Sequence, residues 1–351
     1  MASHPKTEIT RWLLDTRTLW SGTKIQDAAR DHLALLPPAE QNPILSKYRF
    51  PDACMSLGSA LLKRAFLAKA TGLPWSSIAF SRRLDPRLGK PCWASPPGAP
   101  PNDEWPHIDF NVSHQKGLVV LVGAVGRGAP VPDVSVDLTS PNERNDMASI
   151  AGSDVPTFLA VFSDVFSEQE LFALAWSLPP QGSVRLLDGE EVSNVILGRL
   201  DRTVKCGQAL SVMFDGRQVK FESELLVEEK VRNFYAAFAL KEAYVKLAGE
   251  GLAARWIQEI EFTGVRAPRK GAVPRCSLAG VFGETIGNKD EEVSITFKGE
   301  EVRDVLFELQ SFEEDYIIAS MIKPLEQDQE FPDWHRISLD RDIMPLATKW
   351  S

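Results

Sequence analysis

The sequence of 351 residues has few cysteines, no long apolar run and no surplus of positive charge, and each shortage removes a class of protein. Cys54, Cys92, Cys206 and Cys276 lie far apart and match no Cys-x-x-Cys pattern. That excludes a disulfide framework or a zinc ribbon and leaves reduced thiols, in the core or on the surface. No apolar stretch approaches the ~18 residues a membrane span needs, and residues 1–10 lack the apolar segment of a signal peptide. A cytoplasmic protein with no membrane association is expected. A formal charge of −9 argues against general nucleic-acid binding, which needs a basic face. No Gly-x-x-x-x-Gly-Lys loop is present, so nothing supports a P-loop nucleotide enzyme.

What is present suits a globular enzyme. At roughly 150 residues per domain the length suggests about two compact units, and 44% hydrophobic residues can fill their cores. Charge is split between them. Residues 1–133 hold 16 basic and 11 acidic side chains, net +5, so residues 134–351 hold the other 23 and 37, net −14. The first part suits a polyanion and the second a metal ion, unless the split is only drift of surface charge.

The pattern along the chain mixes helices and strands. Trp12, Leu13, Leu14, Leu19 and Trp20 lead toward Leu36 as a short helix ended by Pro37-Pro38. A clearer helix follows, with Asp52 as cap, an apolar stripe of Leu57, Leu61, Ala65 and Ala68, and Gly72 as stop. Residues 81–106, with Arg82, Arg83, Arg87, Lys90 and two proline pairs, read as loop. Residues 108–112 alternate as a half-buried strand, residues 118–125 are apolar enough for a strand covered on both faces, and Val134, Val136 and Leu138 alternate with Ser135, Asp137 and Thr139. Gly126 to Pro132 is the expected boundary between the halves. Ser167 to Glu170 has capping-box spacing, and Asp215-Gly216 is a hairpin turn within an irregular insertion, 178–226. A long helix is predicted over about 228–248, stopped by Gly249 and Gly251, with short strands behind it. The order predicts α+β halves rather than a doubly wound sheet. The polar tail, 326–351, is expected to wrap the surface or move freely.

Three places carry candidate chemistry. At about 100° per residue, the stripe of Val231, Phe234, Phe238 and Val245 puts Glu242 within about 40° of its centre, so its carboxylate points inward. Either it pairs with Lys246 one turn on, or it meets a metal or acts as a base. Asp137 faces a similar choice between capping the Pro141-Asn142 turn and serving a site. Ser113 and His114 are neighbours on a strand and so point to opposite faces, which rules out a nucleophilic dyad. His114 is open to a structural hydrogen bond or to donation to phosphate oxygen.

Five segments together carry a resemblance. Gly89-Lys90-Pro91, Phe110-Asn111-Val112-Ser113-His114, Val134 to Leu138, Phe166 to Glu170, and Phe234 to Lys246 with its Lys241-Glu242-Ala243-Tyr244-x-Lys246 core occur in that order. The chain resembles the Sfp-type 4′-phosphopantetheinyl transferases from about Lys47 to Met321, outside the insertion. Its long insertion and tail are most similar to fungal members that serve many carrier proteins. The resemblance implies a pseudo-dimer of two similar α+β halves, here 1–133 and 134–325, with the active site in the cleft between them. It implies transfer of the phosphopantetheine arm of coenzyme A to a serine of acyl, peptidyl or aryl carrier proteins, releasing adenosine 3′,5′-bisphosphate. The recipients would be polyketide synthases, non-ribosomal peptide synthetases and aminoadipate reductase. Carried over by position, Asp137 and Glu242 would bind Mg²⁺, and Lys246 would contact phosphates with Lys241 in the cofactor site. Ser113, His114 and Gln115 would lie at the 3′-phosphate end with Lys47 and Arg49, and Lys90-Pro91 near the adenine. Where several members have a third acid, this chain has Thr139. A monomer is expected, and a non-catalytic carrier-binding module is the alternative reading.

Overall fold

The computed structural model describes residues 7–83, 89–95, 105–128, 130–179, 182–186, 188–198, 200–249, 254–271, 280–288, 293–323 and 329–349. Arg87, Gly251, Cys276 and the proline pairs of the 81–106 segment lie outside them. The elements that place the site are β1 (Glu8–Asp15), α1 (Phe50–Thr71), β2 (His107–Gln115), β3 (Leu118–Gly126), β4 (Asp133–Thr139) and α2 (Glu168–Trp176). After them come α3 (Glu224–Ala248), β5 (Phe282–Gly287), β6 (Leu306–Phe312), β7 (Tyr316–Lys323) and β8 (His335–Arg336). The architecture is mixed α+β.

Two four-stranded sheets carry the core, one in the order β8-β1-β3-β2 and one in the order β5-β6-β7-β4. All pairings are antiparallel except β8 with β1. Strand alternation sorts the side chains into layers. Trp12, Leu14, Phe110, Val119 and Leu121 face α1, while Leu13, Leu118, Val120, Val122 and Ala124 face the second sheet. On that second sheet Val134, Val136, Leu138 and Ile318 turn inward to meet them, and Ile317, Ala319, Met321, Phe307 and Leu309 turn outward to α3. The result is helix, sheet, sheet, helix. This explains why Trp12-Leu13-Leu14 is a strand and not the helix predicted: a strand buried on both faces needs an unbroken apolar run.

Several local signals operate as read. Gly72 and Gly249 end α1 and α3 with φ of 72° and 80°, a left-handed cap that costs glycine little. Ser167 and Glu170 form the reciprocal capping box of α2, and Asp215-Gly216 turns the hairpin of Ala209–Phe214 with Arg217–Glu222. Asp52 is not a cap; it lies in the first turn of α1, whose N-cap is Arg49. The insertion holds a second small hairpin and its own cluster around Val184, Val192, Leu197 and Phe221. Cys54, Cys92 and Cys206 are free thiols.

The described part of the tail is neither mobile nor superficial. Strand β8 extends the first sheet, and Ile337, Leu339, Ile343 and Ala347 enter the α1 core. The Arg11 guanidinium stacks on Phe331 and Trp334, donates to the Pro332 carbonyl and pairs with Glu308 of the second sheet at 2.5 Å. Residues 331–336 therefore lie beside β1.

Where the two sheets meet, backbone pairing is replaced by side chains. Asp109 accepts from Val134 N–H at 2.7 Å, Asn111 from Val136 N–H at 3.3 Å, and Ser113 from Leu138 N–H at 3.3 Å. Alternate residues of β2 thus satisfy alternate amides of β4, which a backbone ladder would otherwise do. This seam fixes how Asp137 stands relative to β2.

Candidate active site

Asp137 lies on the face of β4 that α3 covers. Ser135, Asp137 and Thr139 point toward that helix, not to water, and the Thr139 hydroxyl contacts the Tyr235 carbonyl at 3.5 Å. Two turns beyond Tyr235, Glu242 projects from the same side of α3 and is only 6% exposed, as is Asp137. Lys246, one turn further, does not bond Glu242. Its ammonium instead reaches Asp137 Oδ1 at 2.6 Å, Ser113 Oγ at 3.0 Å and the Val136 carbonyl at 3.3 Å. The alternative of a Glu242 to Lys246 pair is therefore not the one realised.

Glu242 is left in tension. Its Oε1 is buried and has no hydrogen-bond partner among the described residues. Desolvation, then repulsion from Asp137, push its carboxyl up to about 7, and the positive charge of Lys246 only partly opposes them. Two buried carboxylates with an unpartnered oxygen need either a proton or a cation between them. Both are hard oxygen donors, which suits a divalent ion such as Mg²⁺ that keeps several waters. Among the described residues no cluster of three or more His, Cys, Asp or Glu side chains surrounds the spot, in keeping with Thr139 two residues after Asp137.

Across the seam the charge reverses. His114 faces the α1 side of β2, opposite to Ser113, and is open to solvent. Desolvation holds its imidazole below the usual range, and the positive charges of Lys246, Lys47 and Lys63 add to this. Lys47 and Arg49 are exposed just before α1, flanking Tyr48, whose side chain is fully exposed. Lys63 projects from α1 with its ammonium 5.4 Å from the Phe80 ring centre, and it has no carboxylate within ion-pair distance among the described residues. In the sequence Lys63 is only a charge beside the apolar stripe of α1. Its half-buried position with no ion-pair partner among the described residues is the signal that singles it out.

Two residues expected at the cofactor are engaged by protein partners. Lys241 is fully buried on the far side of α3, 2.7 Å from Glu170, and donates to the carbonyls of Val165, Ile257 and Ile260. One residue is about 100° of helix, so Lys241 cannot share the face of Glu242. Its task is to tie α3 to α2. Lys90 is also buried, its ammonium between Asp109 and the Val134 carbonyl at the far end of the seam, with Arg83 3.1 Å from the same aspartate. Pro91 opens a short strand paired with Phe80–Arg82, and Gln115 ends β2, half-buried. The turn after β4 uses Asn142 and Asn145 at φ of 62° and 60°, a conformation asparagine tolerates, and Asn142 Oδ1 caps Met147 N–H at 3.0 Å.

Comparison with known proteins identifies the family. The family model described as 4'-phosphopantetheinyl transferase, N-terminal, matches residues 19–126. The 4'-phosphopantetheinyl transferase of Aureobasidium melanogenum is 40% identical over 347 residues, covering 97% of this chain and 98% of that protein. The 4'-phosphopantetheinyl transferase A of Aspergillus fumigatus is 31% identical and the NpgA protein of Emericella nidulans 30%, each covering 97% of this chain and 94% of its relative. With a like-named relative this similar along almost its whole length, the chain belongs to the 4′-phosphopantetheinyl transferase family and is an enzyme of that kind.

Proposed function

We propose that this enzyme moves the phosphopantetheine arm of coenzyme A to a serine of apo carrier proteins, with Asp137 and Glu242 holding Mg²⁺. The observation that carries the reading is the buried pair of carboxylates, one with an unpartnered oxygen, next to Lys246 and across the seam from a cationic group. The two halves, each a sheet with one long helix, are taken as related copies with the coenzyme between them. Lys47, Arg49, Lys63 and His114 would receive the 3′-phosphate end.

Phosphoryl transfer of this type depends on positioning and charge neutralisation. The serine oxygen forms a bond to the β-phosphorus as the bond to adenosine 3′,5′-bisphosphate breaks. Mg²⁺, when bound, supplies a Lewis acid for pyrophosphate oxygens. Glu242, a buried carboxylate with one unpartnered oxygen, is suited to take the serine proton. Lys246 holds Asp137 through their ion pair and places positive charge beside the departing anion, a role that does not require it to leave its present partners.

The test is incubation with coenzyme A, Mg²⁺ and apo carrier proteins of the polyketide, peptidyl and aminoadipate-reductase types, followed by intact-mass measurement of the carrier. A gain of one phosphopantetheine is expected, dependent on Mg²⁺ and absent in Asp137→Ala. Unmodified carriers throughout would defeat the reading.

A further inference from the structure

The resemblance puts Ser113 at the 3′-phosphate or its surroundings, yet its hydroxyl has no capacity left for a phosphate contact. A serine hydroxyl offers one donor and two acceptor lone pairs. The donor goes to Asp137 Oδ1 at 3.0 Å, and the lone pairs take Lys246 Nζ at 3.0 Å and Leu138 N–H at 3.3 Å. All three partners are on the second-sheet side of the seam. His114, on the opposite face, is the one of the two that turns toward Lys47 and Lys63.

We propose that Ser113 is a positioning residue that fixes the Asp137 carboxylate and the Lys246 ammonium together, and that it makes no contact with the 3′-phosphate of the donor. The proposal deepens the reading above and rests on it for the reaction, but the geometry stands by itself. With Oδ1 of Asp137 held by both Ser113 and Lys246, the other carboxylate oxygen is left to a ligand, and the carboxylate cannot rotate without giving up two bonds. Partners of this kind set the orientation of a metal-binding side chain, and their loss commonly costs 10–100-fold in metal affinity.

Asn111 supplies the control. It is the preceding contact of the same seam, accepting from Val136 N–H at 3.3 Å, with no hydrogen bond to Asp137 or Lys246 among the described residues. Ser113→Ala and Asn111→Ala therefore each remove one seam bond, but only the first releases Asp137.

The experiment compares full-length Ser113→Ala, Ser113→Thr and Asn111→Ala with the parent protein. The readouts are melting temperature, Mn²⁺ binding by electron paramagnetic resonance with coenzyme A present, and kinetics with coenzyme A and with dephospho-coenzyme A, which lacks the 3′-phosphate. Ser113→Ala should lose roughly 10–100-fold in Mn²⁺ affinity and in kcat, while its preference for coenzyme A over dephospho-coenzyme A stays that of the parent. Ser113→Thr restores the hydroxyl and should return to within about threefold, and Asn111→Ala should lower only the melting temperature. A collapsed preference between the two donors in Ser113→Ala would make the residue a phosphate contact and overturn the proposal. Equal loss of Mn²⁺ affinity in Asn111→Ala would reduce it to seam stability, also overturning it. If the parent transfers no arm, the reaction assigned above falls, whereas the Mn²⁺ measurement still decides the role of Ser113.

Discussion

Replacing Glu242 by Gln should make the metal-free protein more stable as it destroys transfer. Burial and Asp137 raise this carboxyl from an ordinary 4.5 to about 7 in the fold. Below pH 4.5 folded and unfolded forms both hold the proton, and the residue contributes no pH-dependent term. Between 4.5 and 7 the unfolded chain releases the proton while the fold keeps it, so stability falls as pH rises; above 7 the loss is complete and constant. At about 1.4 kcal/mol per tenfold, the loss is on the order of 3 kcal/mol. Gln cannot ionise, and its amide can donate toward Asp137. Denaturant unfolding in EDTA should therefore show Glu242→Gln stabler by ~2–3 kcal/mol at pH 8 and indistinguishable at pH 4.5. Added Mg²⁺ should stabilise the parent and leave the variant unmoved, because only binding to the folded form shifts unfolding. Transfer by the variant should fall by a factor of at least ~10². A variant less stable than the parent at pH 8, or a gain that does not vary with pH, would refute the electrostatic account of this site.

Three further substitutions separate scaffold from chemistry. Lys241→Met keeps the volume but leaves Glu170 without its buried cation, so stability should fall by roughly 3–5 kcal/mol in urea unfolding while KM for coenzyme A stays unchanged below the melting range. Ile343→Ala removes a fully buried side chain of the tail from the α1 core and should cost about 2–5 kcal/mol by the same measurement. Lys63→Met should raise KM for coenzyme A about tenfold and leave dephospho-coenzyme A unaffected in steady-state assays, the expected loss for one charge-assisted contact at a half-open site.

Local signals were the most legible part of the fold. The Ser167 to Glu170 capping box, the stops at Gly72 and Gly249 and the Asp215-Gly216 turn depend on a few neighbouring residues and are realised, whereas the Asp52 cap is not. Glu242 was legible for the same kind of reason, since helical spacing alone turns it inward. The first strand was not, because an apolar run buried on both faces has no period to distinguish it from helix. The tail was misjudged from its polarity: residues 326–351 place apolar side chains at Ile337, Leu339, Ile343 and Ala347, and only the tertiary fold shows the groove beside β1 that takes them. Lys63 and the seam were invisible as well, since both depend on contacts between segments distant in sequence.

Two pairs of residues named by the resemblance share one geometric feature. Ser113-His114 and Lys241-Glu242 are each adjacent in the chain, and the resemblance assigns both members of each pair to the coenzyme site. In a strand adjacent side chains leave opposite faces, and in a helix they diverge by about 100°. Two such neighbours therefore send their side chains in different directions. In both cases one member turns to the exposed or reactive side, His114 and Glu242, and the other is fully occupied by protein partners, Ser113 with Asp137 and Lys246, Lys241 with Glu170 and three carbonyls. A contiguous motif on a regular element is therefore better read as a site plus its fastening than as a site alone. The charges around the site follow the same division: Lys47, Arg49 and Lys63 come from residues before 133, while Lys241 and Lys246 of the acidic half are already committed to Glu170 and Asp137.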